Sequence, residues 1–182
     1  MKISRGFFTR DAENVARDLL GTIIFRRTSQ NLMKGKIVET EAYLGETDPA
    51  SWARYGKRKS NILMWGEAGK ILVKNVHKHL MLNFVTGKIG SPQAVLIRAI
   101  EPLGFEGKCS GPGLLTEKFK ILKSFNGKFI DSLQNLWLEK WEKAFEIEES
   151  RRIGVVKDLN KKLRFFIKGN KRVSKNGRRH NQ

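Results

Sequence analysis

An arginine interrupts the most strand-like apolar run of this chain, "SPQAVLIRAIEP" (91–102), which Pro102 is expected to stop. Desolvating a guanidinium is costly unless it is paired, so a fold that uses this strand must bring a carboxylate to Arg98. Strand parity sets Arg98 with Leu96 and Ile100, while its neighbour Glu101 points to the opposite face. The partner therefore comes from another strand. "GKIVETEAY" (35–43) offers two, because Ile37, Glu39, Glu41 and Tyr43 alternate onto one face and Val38, Thr40 and Ala42 onto the other. Two carboxylates and a tyrosine on one side of a strand fit a solvated sheet edge. They equally fit a general base beside an aromatic platform. The Arg98 pairing fits either a buried ion pair without chemistry or part of an active site.

The rest of the chain organises around these two strands. Thr9 reads as an N-cap, followed by a helix with Ala12, Val15, Ala16, Leu19 and Leu20 at helical spacing and Gly21 as its stop. "TIIFRR" (22–27) reads as a strand paired with 35–43. Residues 44–60 have loop composition and carry a basic cluster, Arg54, Lys57, Arg58 and Lys59, before a short helical turn in "SNILMWG". "KILVKNVHKHLMLNFVTG" (70–87) predicts a hairpin, "CSGPGLLTEKFKIL" (109–122) a turn and helix, "SLQNLWLEKWEKAF" (132–145) a helix, and "LRFFIKG" (163–169) a final strand. No repeat or composition break marks a second domain, so residues 1–174 are expected to be one domain and 175–182 a disordered basic tail.

Composition narrows the function classes. At 182 residues, 40% hydrophobic and 30% charged, the chain has enough apolar content for a core of its own. No stretch approaches the ~20 apolar residues that span a bilayer, and the N-terminus lacks a signal-peptide core. The single cysteine, Cys109, excludes an internal disulfide and fits a reducing compartment. A formal net charge of +18 implies a polyanionic partner. The excess concentrates near the C-terminus, where residues 151–182 hold 12 Lys+Arg against one acid, Asp158. Phosphate contacts of that kind give sequence-independent affinity for nucleic acid. "HKH" (77–79) has no acid or cysteine cluster near it and is a weak metal signal.

"VARDLLG", "KIVETEAYLGETDPAS", "AVLIRAIEP", "CSGPGLLT" and "LRFFIKG" occur in an order that closely resembles the alkyladenine (3-methyladenine) DNA glycosylases. The resemblance runs from about residue 5 to 174. It implies an α/β chain of the α+β type, with a curved antiparallel sheet, surrounding helices and a protruding β-hairpin. It implies a monomer without metal or organic cofactor that flips damaged purines out of double-stranded DNA and hydrolyses the base–sugar bond. Residue by residue, Glu41 matches the general base, Arg98 a water- and phosphate-holding residue, and the backbone carbonyl of Ile167 a third water ligand. Tyr43, Trp52, Val73 and Asn83 match the base pocket, and Val76 and His77 the intercalating hairpin. Arg54, Lys57, Arg58, Lys59, Lys168, Lys171 and Arg172 are expected to contact DNA. The location implied is cytoplasm and nucleoid in a prokaryote, or nucleus in a eukaryote, with no membrane partner.

Three positions depart from the family pattern. Trp52 stands where a histidine is usual, Val73 and Val76 where tyrosines are usual, and Leu114 where the turn motif has lysine. Loss of base–aromatic stacking, about 1–3 kcal/mol per base, predicts a bias toward cationic alkylated purines, which leave readily. Two further readings stay open at this point. One is a relative that binds DNA without excising bases, which the altered cage favours and Glu41 and Arg98 oppose. The other is an RNA-binding module, for which stacking surfaces are missing.

Overall fold

The computed structural model describes residues 1–141 and 144–175. Helix α1 (Ala12–Leu19) buries Ala12, Val15, Ala16 and Leu19, the face that the helical spacing predicts. Its N-cap is Asp11, whose carboxylate accepts the Asn14 N–H at 3.0 Å. Thr9 is not the cap: it belongs to a preceding 3-10 turn and its hydroxyl donates to the Gly6 carbonyl. Gly21 ends the helical segment at φ +78°, a backbone conformation that strains other residues.

Strands β1 (Ile23–Arg27), β2 (Leu32–Tyr43), β3 (Ile71–Val76), β4 (His79–Thr86) and β5 (Gln93–Leu103) are followed by helix α2 (Pro112–Lys118). Strands β6 (Leu136–Glu139), β7 (Ile147–Ser150) and β8 (Arg164–Ile167) complete the chain. All join one curled antiparallel sheet in the order β3-β4-β5-β2-β1-β6, with β8 pairing both β2 and β7. The architecture is therefore the α+β chain with a curved antiparallel sheet that the resemblance implies, and the sheet curls into a half-barrel. Strand β5 runs through Pro102 to Leu103, with Pro102 opposite Gly35, whose missing side chain leaves room for Ile100 and Phe119. Among the described residues no helix is long and apolar enough to cross a membrane.

The helix expected over 132–145 is instead strand β6. Leu133, Leu136, Trp137 and Trp141 mimic helical spacing, yet the edge of β1 is open to a partner and Leu136 and Leu138 alternate into the core, both fully buried. Trp137, on the other face, stacks on Phe25 with centroids 4.9 Å apart. Trp141 is exposed.

One irregularity positions the site. Between Ile37 and Thr40 the β2–β5 register shifts twice, leaving Val38 unpaired on β2 and Arg98 unpaired on β5. The two bulges cancel, so the pairing resumes in step, but Arg98 is re-aimed between them. The main core lies between this sheet and α1 and α2, with Phe8, Phe84, Phe119 and Phe165 fully buried. A smaller cluster of Ala53, Met64, Trp65, Leu72, Val85 and Ala94 supports the loop after β2.

Candidate active site

A cavity of about 580 Å³ opens where β2, the β3–β4 hairpin and β5 meet the loops at 49–54 and 153–157. That volume lies in the usual range for small-molecule sites. Tyr43, Trp52, Asn83, Arg98 and Ile153 line it, with Val76 toward the hairpin tip. Glu41 lies one layer behind, with no solvent exposure, bonded to three residues of that wall. Its Oε1 accepts the Ile153 N–H at 2.8 Å and lies 3.3 Å from Arg98 Nη1. Its Oε2 accepts the Tyr43 hydroxyl at 2.9 Å. Burial pushes the Glu41 carboxyl above the ordinary glutamate range, against the opposing pull of Arg98, the Ile153 N–H and Tyr43. Burial, reinforced by the Glu41 charge, also keeps the Tyr43 phenol protonated, well above the usual tyrosine range.

Arg98 is shared. Its Nε donates to Glu39 Oε1 at 2.9 Å while Nη1 faces Glu41. Burial disfavours the guanidinium, but Glu41 and Glu39 more than offset it. Glu39, fully buried, also accepts from Arg164 Nε at 2.7 Å and from the Ser174 amide and hydroxyl at 2.6 and 2.7 Å. Glu39 is thus a structural hub that orients Arg98 and ties the end of the described chain to the sheet.

A second buried pair braces the loop that carries Trp52. Arg152 binds Asp48 at 2.7 Å through both terminal nitrogens and donates to the Ala42 carbonyl at 2.9 Å. Its guanidinium carbon stands 4.7 Å from the Tyr43 ring centroid, backing the ring that faces the cavity. Asp48 also accepts the Leu44 and Ala50 N–H groups. Burial works to raise the Asp48 pKa, and the Arg152 and backbone bonds overcome it, holding the carboxyl below its ordinary value. Asn61 then pins the next turn by donating to the Trp52 and Gly56 carbonyls. Sequence reasoning missed Arg152, Asp48 and Asn61. The signal available was an acid in a turn that needed a partner, and an arginine counted only as surface charge.

Several expected residues lie elsewhere. Ile167 is not at Glu41: Arg164 is the β8 residue opposite it, and the Ile167 carbonyl accepts the Asn170 N–H at 3.2 Å. The carbonyl at the site belongs to Ile153, which Arg98 Nη1 reaches at 3.4 Å. Val73 faces the core, because β3 turns Leu72, Lys74 and Val76 toward the cavity and Ile71 and Val73 away. Asn83 is fixed by donating to the Leu72 and Met81 carbonyls. His77 sits exposed at the hairpin tip at φ +52°, and His79 packs against Gly113. Arg54 lines the cavity and stacks on Tyr55, and Lys57, Arg58 and Lys59 are exposed on the loop beyond it. Lys168 pairs with Glu146, while Lys171 and Arg172 are exposed near Glu101, at the other end of β5. Of the basic tail, residues 176–182 lie outside the described residues. Among the described residues no group of three or more His, Cys, Asp or Glu is placed to hold a metal ion.

The model of the methylpurine-DNA glycosylase family matches residues 6–171. The chain belongs to that family. A relative in Carboxydothermus hydrogenoformans named 3-methyladenine DNA glycosylase is 39% identical, over 96% of this chain and the whole of its own length. Relatives with the same name in Aeropyrum pernix and Borreliella afzelii are 36% and 38% identical, each over 95% of this chain. Membership places this glycosylase among the N-glycosyl hydrolases of DNA repair.

Proposed function

We propose that this chain excises alkylated purines from duplex DNA by hydrolysing the bond between base and deoxyribose, leaving an abasic site. The observation that carries the reading is Glu41, a fully buried carboxylate that bonds Tyr43, Arg98 and Ile153 from behind the wall of a cavity of base-accepting size. A buried carboxylate with a raised pKa remains basic enough to take a proton from water, and its charge stabilises positive charge developing on the sugar. Arg98 and the Ile153 carbonyl hold the attacking water beside it, in the role that the resemblance gave to Ile167. Tyr43 and Trp52 stack on the flipped base, and Asn83 excludes the exocyclic amine of guanine. Val76 and His77 enter the gap that the base leaves, an apolar wedge beside a polar tip.

Incubating the protein with methylated duplex DNA and chromatographing the supernatant tests this. Free 3-methyladenine with matching abasic sites supports the reading; DNA bound but left intact would make the protein a non-excising binder. A second expectation concerns affinity. Lys57 and Lys59, exposed on the loop beyond Arg54, are expected to contact phosphates. Replacing both with alanine should reduce the magnitude of the slope of log K against log salt by about 2. An unchanged slope in a fluorescence titration would move the DNA path elsewhere.

A further inference from the structure

Resting on that glycosylase reading, we propose that Lys74 is the general acid that protonates the departing purine, and that it biases the pocket toward neutral damaged bases such as hypoxanthine. Lys74 sits in mid-β3 with its side chain turned into the cavity between Trp52 and the hairpin. Its Nζ stands 4.7 Å from the Trp52 ring centroid, on the ring that the flipped base would stack against. Among the described residues that ammonium has no hydrogen-bond or ion-pair partner, only the indole face. Three N–H donors held half-buried without an acceptor are costly, and a purine edge with O6 and N7 acceptors would satisfy them.

The charge around the cavity points the same way. Arg54, Arg98 and Lys157 face it from other elements, with the Tyr43 phenol, and no carboxylate is among the described lining residues. Arg98 is answered by Glu39 and Glu41 behind the wall, which leaves Lys74, Arg54 and Lys157 as the cations that a neutral base with acceptor atoms would meet. The sequence departures suggested a bias toward cationic lesions; the cation inside the pocket reverses it.

The step balances without a cofactor. The C1′–N9 bond breaks and its electron pair goes to the purine. The Lys74 ammonium delivers a proton to N7 of that purine, which leaves neutral. Water oxygen bonds to C1′ and the water's proton passes to Glu41, after which both side chains re-equilibrate with solvent. A base already cationic, such as 3-methyladenine, needs no such proton. Burial, with Arg54 adding to it, lowers the pKa of Lys74 from the ordinary lysine value. Excision of hypoxanthine should therefore fall at alkaline pH, earlier than a free lysine would dictate.

The test is single-turnover release of hypoxanthine and of 3-methyladenine from duplex DNA across pH, by wild type, Lys74→Met and Lys74→Arg. Lys74→Met should slow hypoxanthine release about 10²-fold more than it slows 3-methyladenine release, and should erase the alkaline limb of the hypoxanthine profile alone. Lys74→Arg keeps charge and bulk but holds its proton, so it should also lose hypoxanthine activity. Parallel loss on both bases, with a reduced salt slope, would make Lys74 a phosphate contact and overturn the proposal. So would an unchanged hypoxanthine profile, or a wild type that releases only 3-methyladenine. If wild type releases neither base, the glycosylase reading itself has failed.

Discussion

Glu41→Gln is expected to reduce base release by about 10³-fold or more while the protein stays folded and binds DNA as before. The substitution is nearly isosteric. Its side-chain oxygen can still accept the Ile153 N–H, and Arg98 keeps Glu39 as a counter-charge at 2.9 Å. What is lost is the group that accepts the water's proton and the negative charge beside the sugar. Single-turnover rates and binding isotherms measured side by side separate these effects. Weak binding with proportionally weak release would point to a structural role, and unimpaired release would remove Glu41 from the chemistry.

The largest expected loss of stability comes from Arg152→Met. Methionine fills part of the space but leaves the fully buried Asp48 carboxylate with only its backbone partners. Breaking one side of a buried ion pair costs about 3–5 kcal/mol, or roughly 10 °C in Tm for a chain of this size. The pH dependence of the difference follows from the Asp48 shift. Its folded pKa is depressed, so the stabilisation is fully present above the unfolded value of about 3.9 and is lost as pH falls through the folded value. The gap between wild type and Arg152→Met should thus be wide at neutral pH and narrow on acidification. A gap that stayed constant in thermal melts from neutral to acid pH would mean that the charge pair is not its source. Release should fall as well, because Arg152 backs Tyr43 and immediately precedes Ile153.

Much of this architecture was legible from periodicity. Helix α1 announced itself through apolar residues at helical spacing, and the β3–β4 hairpin through two β-rich runs around a polar centre. The demand of Arg98 for a carboxylate located β2 beside β5. Parity could not reveal the paired bulges at Val38 and Arg98, which let one guanidinium reach both Glu39 and Glu41. Strand β6 was hidden because four residues are too few to distinguish alternation from helical spacing when leucines and tryptophans surround them. Ile153 and Arg152 lay in a basic stretch whose composition suggests only phosphate binding. Which carbonyl meets Arg98 beside Glu41 depends on the path of the loop between β7 and β8, and no local pattern encodes that path. Lys74 was obscured similarly: the choice between Val73 and Lys74 for the cavity depends on which face of β3 packs on the core.

The most direct test of the central claim, that a buried Glu41 activates water, is the pH profile of single-turnover 3-methyladenine release by wild type. The account predicts a rate that rises about tenfold per pH unit through the acid range, levels off at an inflection above the ordinary glutamate value of about 4.3, and stays flat beyond it. A rate independent of pH across that range, or no release at any pH, would contradict it.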